Sequence, residues 1–217
     1  MEKIIVTMAF CMVASVMSAA SLTNMVFVAF DTETTGLSAS RERLVEIGAV
    51  KFRGREIIAT TNWLINPGRR IPPSVIRVHG ITDKMVKKSP PAKVVLKEFK
   101  DFIGDAPVLA HNARFDVGFV AAECLRNKIK CPTNSVIDSL PISRFYFPKA
   151  PAHNLVALTD YLHLKDTGHH RALADSLYVQ GMMAQIFESK NGPQTLDDLK
   201  KMSCISWPHV AVNQEQP

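Results

Sequence analysis

Two carboxylates separated by one residue are the first candidates for chemistry in this sequence. Asp31 and Glu33 stand in "VFVAFDTETTG", at the end of an apolar run of strand length. Because alternate residues of a strand share a face, the two carboxylates are expected to converge. Converging negative charges raise each other's pKa unless a cation lies between them, and carboxylate oxygens suit Mg²⁺ or Mn²⁺. The alternative for these residues alone is a turn that Asp31 and Thr32 cap before Gly36.

Two later stretches repeat this pattern of polar residues after an apolar segment. "AHNARFD" brings Asp116 to the start of a helix, where a carboxylate is also favoured by the helix dipole. "GHHRALADS" places Asp175 about one turn into a helix, with His170 five residues before it. A histidine alone in a loop is usually a surface residue, but beside acidic groups its near-neutral pKa suits a general base. Together these stretches predict a metal-binding acidic cluster with a histidine beside it.

The elements that must position these residues form an α/β pattern. Apolar segments at 25–30, 43–52 and 56–66, with a tight turn at Gly54, predict an antiparallel meander. The segments after the meander alternate: helices over 91–103, 115–128, 154–162 and 171–187, a strand over 106–111 and a further strand within 135–142. This order predicts one domain with a mixed five-stranded sheet, the antiparallel meander first and parallel strands after it, flanked by helices.

Three motifs carry a resemblance to a known family. "FDTETTG", "HNARFD" and "HRALAD" are similar, in order and spacing, to the motifs of the DEDDh (DnaQ-like) 3′-to-5′ exonucleases, a family that includes the proofreading epsilon subunit of bacterial DNA polymerase III. The linking stretches "LVEIGAV", "VHGITDKMV" and "HNLVALTDYL" also resemble that family. The similarity covers about residues 25–188. It implies a ribonuclease-H-like fold and hydrolysis of nucleotides from a 3′ end with two divalent ions, Mg²⁺ or Mn²⁺.

The resemblance also implies a role for each matching residue. It assigns metal binding to four acids and the general base to one histidine: Asp31, Glu33, Asp116, Asp175 and His170. It implies that the terminal nucleotide contacts four residues in the first motif's tail and a later loop: Thr34, Gly36, Leu37 and His79. For Glu46 in "LVEIGAV" two interpretations stay open, a structural acid or a residue that orients the metal ligands.

The substrate and the partners stay less defined. Single-stranded DNA 3′ ends are the favoured substrate, and the alternative is an exoribonuclease of the same family that trims RNA 3′ ends. A net charge of +6 agrees with a nucleic-acid partner without proving one. A third possibility is a polymerase-associated proofreading subunit or a binding module without activity. Residues 189–217 are polar and are expected to fray, and they lack an obvious polymerase-binding match, which favours a stand-alone nuclease.

The first twenty residues leave three possibilities. "MEK" precedes "IIVTMAFCMVASVM", which has no charge, and then "SAAS", the pattern of a signal peptide over residues 1–20 cleaved after Ala20. The protein would then be secreted or periplasmic, with no stable membrane partner after the leader is removed. An uncleaved anchor is a second possibility. The third is translation from Met25, which would make the protein cytoplasmic, as the odd number of cysteines in the body of the chain slightly favours.

Overall fold

The computed structural model describes residues 21–165, 168 and 170–208, so the leader expected over residues 1–20 lies outside the described residues. Its strands are β1 (Val26–Thr34), β2 (Leu44–Arg53), β3 (Glu56–Leu64), β4 (Val108–Ala110), β5 (Val136–Asp138) and β6 (Cys204–Ile205). They form one mixed sheet in the order β3-β2-β1-β4-β5-β6. The antiparallel meander β1–β2–β3 and the parallel strands β4 and β5 confirm the predicted sheet. β6 is a sixth strand that was not predicted, antiparallel to β5.

Helices cover both faces of this sheet. They are α1 (Pro73–His79), α2 (Asp83–Val86), α3 (Ala92–Ile103), α4 (Arg114–Arg126), α5 (Ser139–Tyr146), α6 (Leu155–Tyr161), α7 (Ala172–Glu188) and α8 (Leu196–Ser203). α3 and α4 pack on one face, and α5 to α8 pack on the other. Within the described part of the chain, no helix combines the length and the apolar character needed to cross a membrane.

The central strand β1 is buried on both sides, and its alternation sets the geometry of the candidate site. Val28 and Phe30 lie in the apolar cluster with α3 and α4, whereas Phe27 and Ala29 lie in the cluster with α7. Burying each large apolar side chain contributes about 1.5–3 kcal/mol. The same alternation continues past Phe30, so the next residues of β1 project in turn toward the α7 layer and the α4 layer.

The first turn of α7 lies directly against β2 at Gly48. A Cβ at Gly48 would come within 2.1 Å of the Leu173 nitrogen and 2.2 Å of the Ala172 carbonyl carbon. The Ser176 hydroxyl donates to the Gly48 carbonyl oxygen at 3.0 Å. Only glycine permits this close approach, which fixes the start of α7 relative to the sheet.

Gly48→Ala is therefore expected to destabilise the protein severely. The added methyl group meets backbone atoms on both elements, and backbone gives way less readily than the end of a side chain, so we expect a loss of about 3 kcal/mol or more. For a domain of this size the melting temperature should fall by about 6–12 °C. Gly118→Ala is the matched control. Gly118 lies in α4, and outside that helix a Cβ there would meet only the Ala39 Cβ, at 3.9 Å. Equal melting temperatures for the two variants would contradict the close contact.

Residues 189–208 are packed against the domain, which differs from the expectation that residues 189–217 fray; residues 209–217 lie outside the described residues. Thr195 and Asp198 form reciprocal capping hydrogen bonds at the start of α8, and Leu199 is completely buried. Trp207 is 8% exposed, and its ring stacks on Phe30 with centroids 6.2 Å apart. Residues 196–208 thus complete one edge of the sheet and part of its core.

Candidate active site

Three carboxylates converge at the carboxyl end of β1. Asp31 and Glu33 project from β1 toward α7, where Asp175 stands in the first turn. One oxygen of each carboxylate lies within 4.8 Å of the others. Asp175 is 9% exposed, while Asp31 and Glu33 are partly exposed. The convergence of Asp31 and Glu33 that their spacing predicts is therefore present in the structure.

The fourth acid comes from the opposite layer. Asp116 is buried in the first turn of α4, as the sequence predicts, on the other face of the sheet. Thr32, which projects from β1 on that face, donates its hydroxyl to the Asp116 Oδ1 atom at 2.8 Å. Asp116 is not one of the three carboxylates that lie within 4.8 Å of one another. Its charge nevertheless raises the pKa of Asp31.

Burial and mutual repulsion raise the pKa values of three of these acids. Burial, and then the charges of Asp116 and Asp175, raise the pKa of Asp31 well above its ordinary value. Burial, followed by the charges of Asp175 and Glu46, raises the pKa of Glu33 to about 8. Burial also raises the pKa of Asp116 to about 7, against the hydrogen bond from Thr32. Converging carboxylate oxygens that repel one another fit a divalent cation.

His170 lines a cleft that also contains Asp175. It is exposed and directly precedes Arg171, the residue that caps α7. Its φ of 59° is in the left-handed region, which is uncommon for a residue other than glycine. His170 and Asp175 line the same cleft, whose volume is about 920 Å³. The structure therefore brings the predicted histidine and one of the predicted acids to a shared cavity.

The opposite wall of the cleft carries polar residues to which the sequence analysis gave no role. Arg144, His153 and Asn154 line it together with His170 and Asp175. The signal available was "HNLVALTDYL", which begins at His153, although the resemblance implied no contact for it. Arg144 lies in α5, a helix that the sequence analysis did not predict.

His111 also lines the cleft and contacts the backbone of His153. Its Nε2 atom lies 2.7 Å from the carbonyl oxygen of His153, and its Nδ1 atom lies 2.9 Å from the Ser139 hydroxyl. Because a carbonyl oxygen only accepts, Nε2 carries the proton and Nδ1 accepts from Ser139. Burial lowers the pKa of His111, which keeps this neutral arrangement. His111 therefore fixes the backbone from which His153 projects.

The residues that the sequence analysis assigned to the terminal nucleotide lie at the end of β1, in the loop after it and at the end of α1. Leu37 is 87% exposed, whereas Thr34 is buried and donates its hydroxyl to the Gly36 carbonyl oxygen at 2.6 Å. His79 is also buried; its Nδ1 atom accepts from the Ile81 nitrogen at 3.0 Å, so its Nε2 atom donates to the Thr34 carbonyl oxygen at 3.3 Å. His79 thus contacts the backbone of this loop, and Leu37 presents an open apolar side chain.

Most of the chain matches the model of a known protein family. Residues 28–180 match the model of the exonuclease family RNase_T. The chain belongs to this exonuclease family. The resemblance to the DnaQ-like exonucleases is thereby confirmed.

Similar proteins include the PolC-type DNA polymerase III of two bacilli. The Bacillus cereus protein is 39% identical over 150 residues, which is 69% of this chain and 10% of the polymerase. The Bacillus subtilis protein is 36% identical over 179 residues, which is 81% of this chain and 12% of the polymerase. The chain therefore spans about a tenth of the length of the curated relatives it matches.

Solved exonuclease structures share the fold. Exonuclease X, in complex with 5′-overhanging duplex DNA, aligns with a TM-score of 0.65 and 24% identity over 81% of this chain and 98% of that protein. Exonuclease I of E. coli, in complex with a dT13 oligonucleotide, aligns with a TM-score of 0.68 and 19% identity over 76% of this chain and 41% of that protein. The fold is the ribonuclease-H-like fold that the sequence predicted.

Proposed function

We propose that this exonuclease removes nucleotides one at a time from the 3′ end of single-stranded nucleic acid, with DNA as the favoured substrate. The observation that carries the proposal is the convergence of Asp31, Glu33 and Asp175 within 4.8 Å at the end of the central strand. Hydrolysis of a phosphodiester needs stabilisation of negative charge and a base for the attacking water. The acidic cluster and the neighbouring His170 supply a place for both.

The four acids would hold two divalent cations, Mg²⁺ or Mn²⁺. Bound there, the cations would lower the pKa of a coordinated water and neutralise charge on the scissile phosphate. Asp31, Glu33 and Asp175 offer the converging oxygens, and Asp116 is oriented by its hydrogen bond from Thr32. The raised pKa values of Glu33 and Asp116 support this assignment, because the acids need a positive charge to be ionised together.

His170 is the proposed general base. It takes the proton of the attacking water and passes it to solvent, to which its side chain is open. The cleft that it shares with Asp175 supports this role, because a base must lie beside the water that the acids position. The left-handed backbone at His170 sets the direction of its side chain independently of the helix that follows.

The residues around the cleft supply substrate contacts. Leu37 would pack against the terminal base, with Thr34 and Gly36 lining the same loop and His79 holding it in place. Across the cleft, Arg144, His153 and Asn154 offer hydrogen-bond donors to the phosphates of the strand.

The similar proteins inform the choice of substrate. The exonuclease I structure contains a dT13 oligonucleotide and the exonuclease X structure contains duplex DNA with an overhang, which favours single-stranded DNA here. The PolC-type relatives favour DNA as well and suggest possible association with a DNA polymerase. Trimming of RNA 3′ ends is the alternative for the same site.

The polarity of cleavage is tested with a single-stranded oligonucleotide labelled at one end or the other. In the presence of Mg²⁺, a 3′ label should appear at once as a mononucleotide, whereas a 5′ label should remain on products that shorten stepwise. Circular single-stranded DNA is the control and should stay intact. Early release of the 5′ label, or cutting of the circle, would contradict the proposal. Faster turnover of a matched RNA would replace DNA by RNA as the substrate.

A further inference from the structure

Glu46 is a fully buried carboxylate for which the proposed reaction has no use. It lies in β2 directly opposite Glu33 of β1, so both side chains project from the same face of the sheet. An ionised group in such a place must be paired and hydrogen-bonded to be tolerated. The question is which groups pair with Glu46 and what they hold.

Most of its partners come from the residues that start α7. Arg171 donates from Nη2 at 2.6 Å and from Nε at 3.2 Å, and the Ala172 nitrogen donates at 3.0 Å. Asn62 of β3 donates at 2.9 Å. Although burial acts to raise the pKa of Glu46, these hydrogen bonds hold it below its ordinary value, so the carboxylate is ionised.

Glu46 replaces a helix cap that α7 lacks. The cap residue of α7 is Arg171, whose side chain makes no capping hydrogen bond. The Ala172 N–H is one of the first four of the helix, which have no acceptor within the helix itself. The carboxylate on β2 accepts from it, and its negative charge is favourable at a helix N-terminus.

The same short segment carries two residues of the proposed site. His170 directly precedes Arg171, and the Asp175 nitrogen donates to the Arg171 carbonyl oxygen at 3.0 Å. The contact of α7 with Gly48 fixes the height of the helix on the sheet. The hydrogen bonds of Glu46 also hold Arg171, which lies between the proposed base His170 and the proposed metal ligand Asp175.

The Arg171 guanidinium is itself a competitor for the acidic cluster. Its charge acts on Glu33, where it lowers the pKa against the larger effect of burial. Glu46 forms a hydrogen-bonded ion pair with the guanidinium and so directs it toward β2. If Glu46 lost its charge, the guanidinium would be free to pair with Glu33 in place of a cation.

We infer that Glu46 is a positioning residue. Through Arg171 it holds the segment from His170 to Asp175 against Asp31 and Glu33, and it keeps the guanidinium away from the metal-binding oxygens. This inference rests on the proposed function, since it gives Glu46 a task only if those oxygens bind a cation.

The test compares Mn²⁺ binding and turnover in Glu46→Gln and in the wild-type protein. Glutamine keeps an oxygen for the Ala172 N–H but loses the charge that pairs with Arg171. We expect Mn²⁺ affinity, measured by calorimetry without substrate, to fall by about 10–100-fold. We also expect kcat to fall while KM stays within about twofold, and residues 170–176 of the metal-free protein to exchange amide hydrogens faster.

A double variant isolates the effect of the competing guanidinium. Glu46→Gln combined with Arg171→Met also removes the competing guanidinium, so it should bind Mn²⁺ more tightly than Glu46→Gln alone. Loss of structure alone would instead make the double variant worse than either single variant. Arg171→Lys, which keeps the charge but not the forked geometry, should fall between the wild type and Glu46→Gln. This variant also decides the case if Glu46→Gln does not fold.

The matched control is a second ion pair that, among the described residues, joins the meander to α7. Arg55 and Glu188 lie 2.7 Å apart at the far end of the helix, exposed and away from the acidic cluster. Arg55→Ala should keep wild-type Mn²⁺ affinity and kcat.

The outcomes distinguish this inference from the proposed function. Wild-type Mn²⁺ affinity and kcat in Glu46→Gln would overturn the positioning role and leave the exonuclease assignment standing. If the wild-type protein binds Mn²⁺ without releasing 3′ nucleotides, the proposed polarity fails, and the calorimetry still decides the role of Glu46. A wild-type protein that binds no Mn²⁺ would overturn both.

Discussion

Asp31→Asn should reduce the release of 3′ nucleotides by about 10³-fold or more while the protein stays folded. The substitution removes one of three converging carboxylates and keeps the shape of the side chain. A cation that stabilises the transition state by several kcal/mol accounts for an effect of this size, since each 1.36 kcal/mol corresponds to about tenfold in rate. The measurement is the initial rate on a 3′-labelled oligonucleotide at saturating Mg²⁺.

Although Asp31→Asn should lose activity, its metal-free form should be at least as stable as the wild-type protein. Burial and neighbouring charges raise the pKa of Asp31, so its ionised form is unfavourable in the metal-free protein. A neutral asparagine removes this cost, and metal-free Asp31→Asn should melt at the wild-type temperature or above it at pH 8. Full turnover by the purified variant would contradict the assignment of Asp31.

His170→Ala is the companion variant, because it should separate the base from the metal site. His170 is exposed and lies in the cleft rather than among the three converging carboxylates. Its loss should lower kcat by about 10²–10⁴-fold, the usual contribution of a general base. The Mn²⁺ affinity of His170→Ala should remain near that of the wild type, whereas Asp31→Asn should lose it.

The metal-free protein should lose stability as pH rises from 5 to 8.5. Burial and nearby acids raise the pKa of Glu33 from 4.5 to about 8, so between these values the folded protein binds more protons than the unfolded chain. The stabilising contribution is complete below pH 4.5 and disappears as pH rises through about 8. After allowance for solvent screening of a partly exposed carboxylate, the loss should be about 2–4 kcal/mol.

A divalent cation should reverse this loss. At a Mg²⁺ concentration of 100 times Kd, binding to the folded state alone adds about 2.7 kcal/mol, and the gain should be larger at pH 8 than at pH 5 because the acids are then ionised. Urea unfolding at pH 5, 7 and 8.5, with EDTA or with Mg²⁺, measures both effects. Glu33→Gln is the control and should show a weaker dependence on pH and on Mg²⁺. A metal-free stability that rises from pH 5 to 8.5 would refute the electrostatic account of the cluster.

The part of the site that local periodicity determines was predictable from the sequence. Asp31 and Glu33 are two residues apart in a strand, so their shared face follows from the pleat alone. The position of Asp175 one turn into α7 follows from helical spacing in the same way. The approach of Asp116 from the opposite layer depends on how α4 packs on β1, and no local pattern carries that information.

The errors in the predicted elements have equally local causes. β5 lies within residues 135–142, where a strand was predicted, but the helix α5 that follows it directly was not predicted. The Asp138 side chain accepts from the Leu140 nitrogen at 3.0 Å, so an acidic residue capping a helix was the missed signal. Arg144 was missed as a cleft residue for the same reason.

The short strand β6 covers the edge of the sheet at β5. β6 has only two residues, Cys204 and Ile205, yet it covers β5, which would otherwise be the last strand of the sheet. A chain cut after Glu188 would leave β5 with unpaired backbone groups and would uncover the Phe30 ring against which Trp207 stacks. Exposed strand edges beside apolar surface pair with other chains. The final residues of the described chain therefore cover the β5 edge and the Phe30 ring, although they lie outside the matched family region.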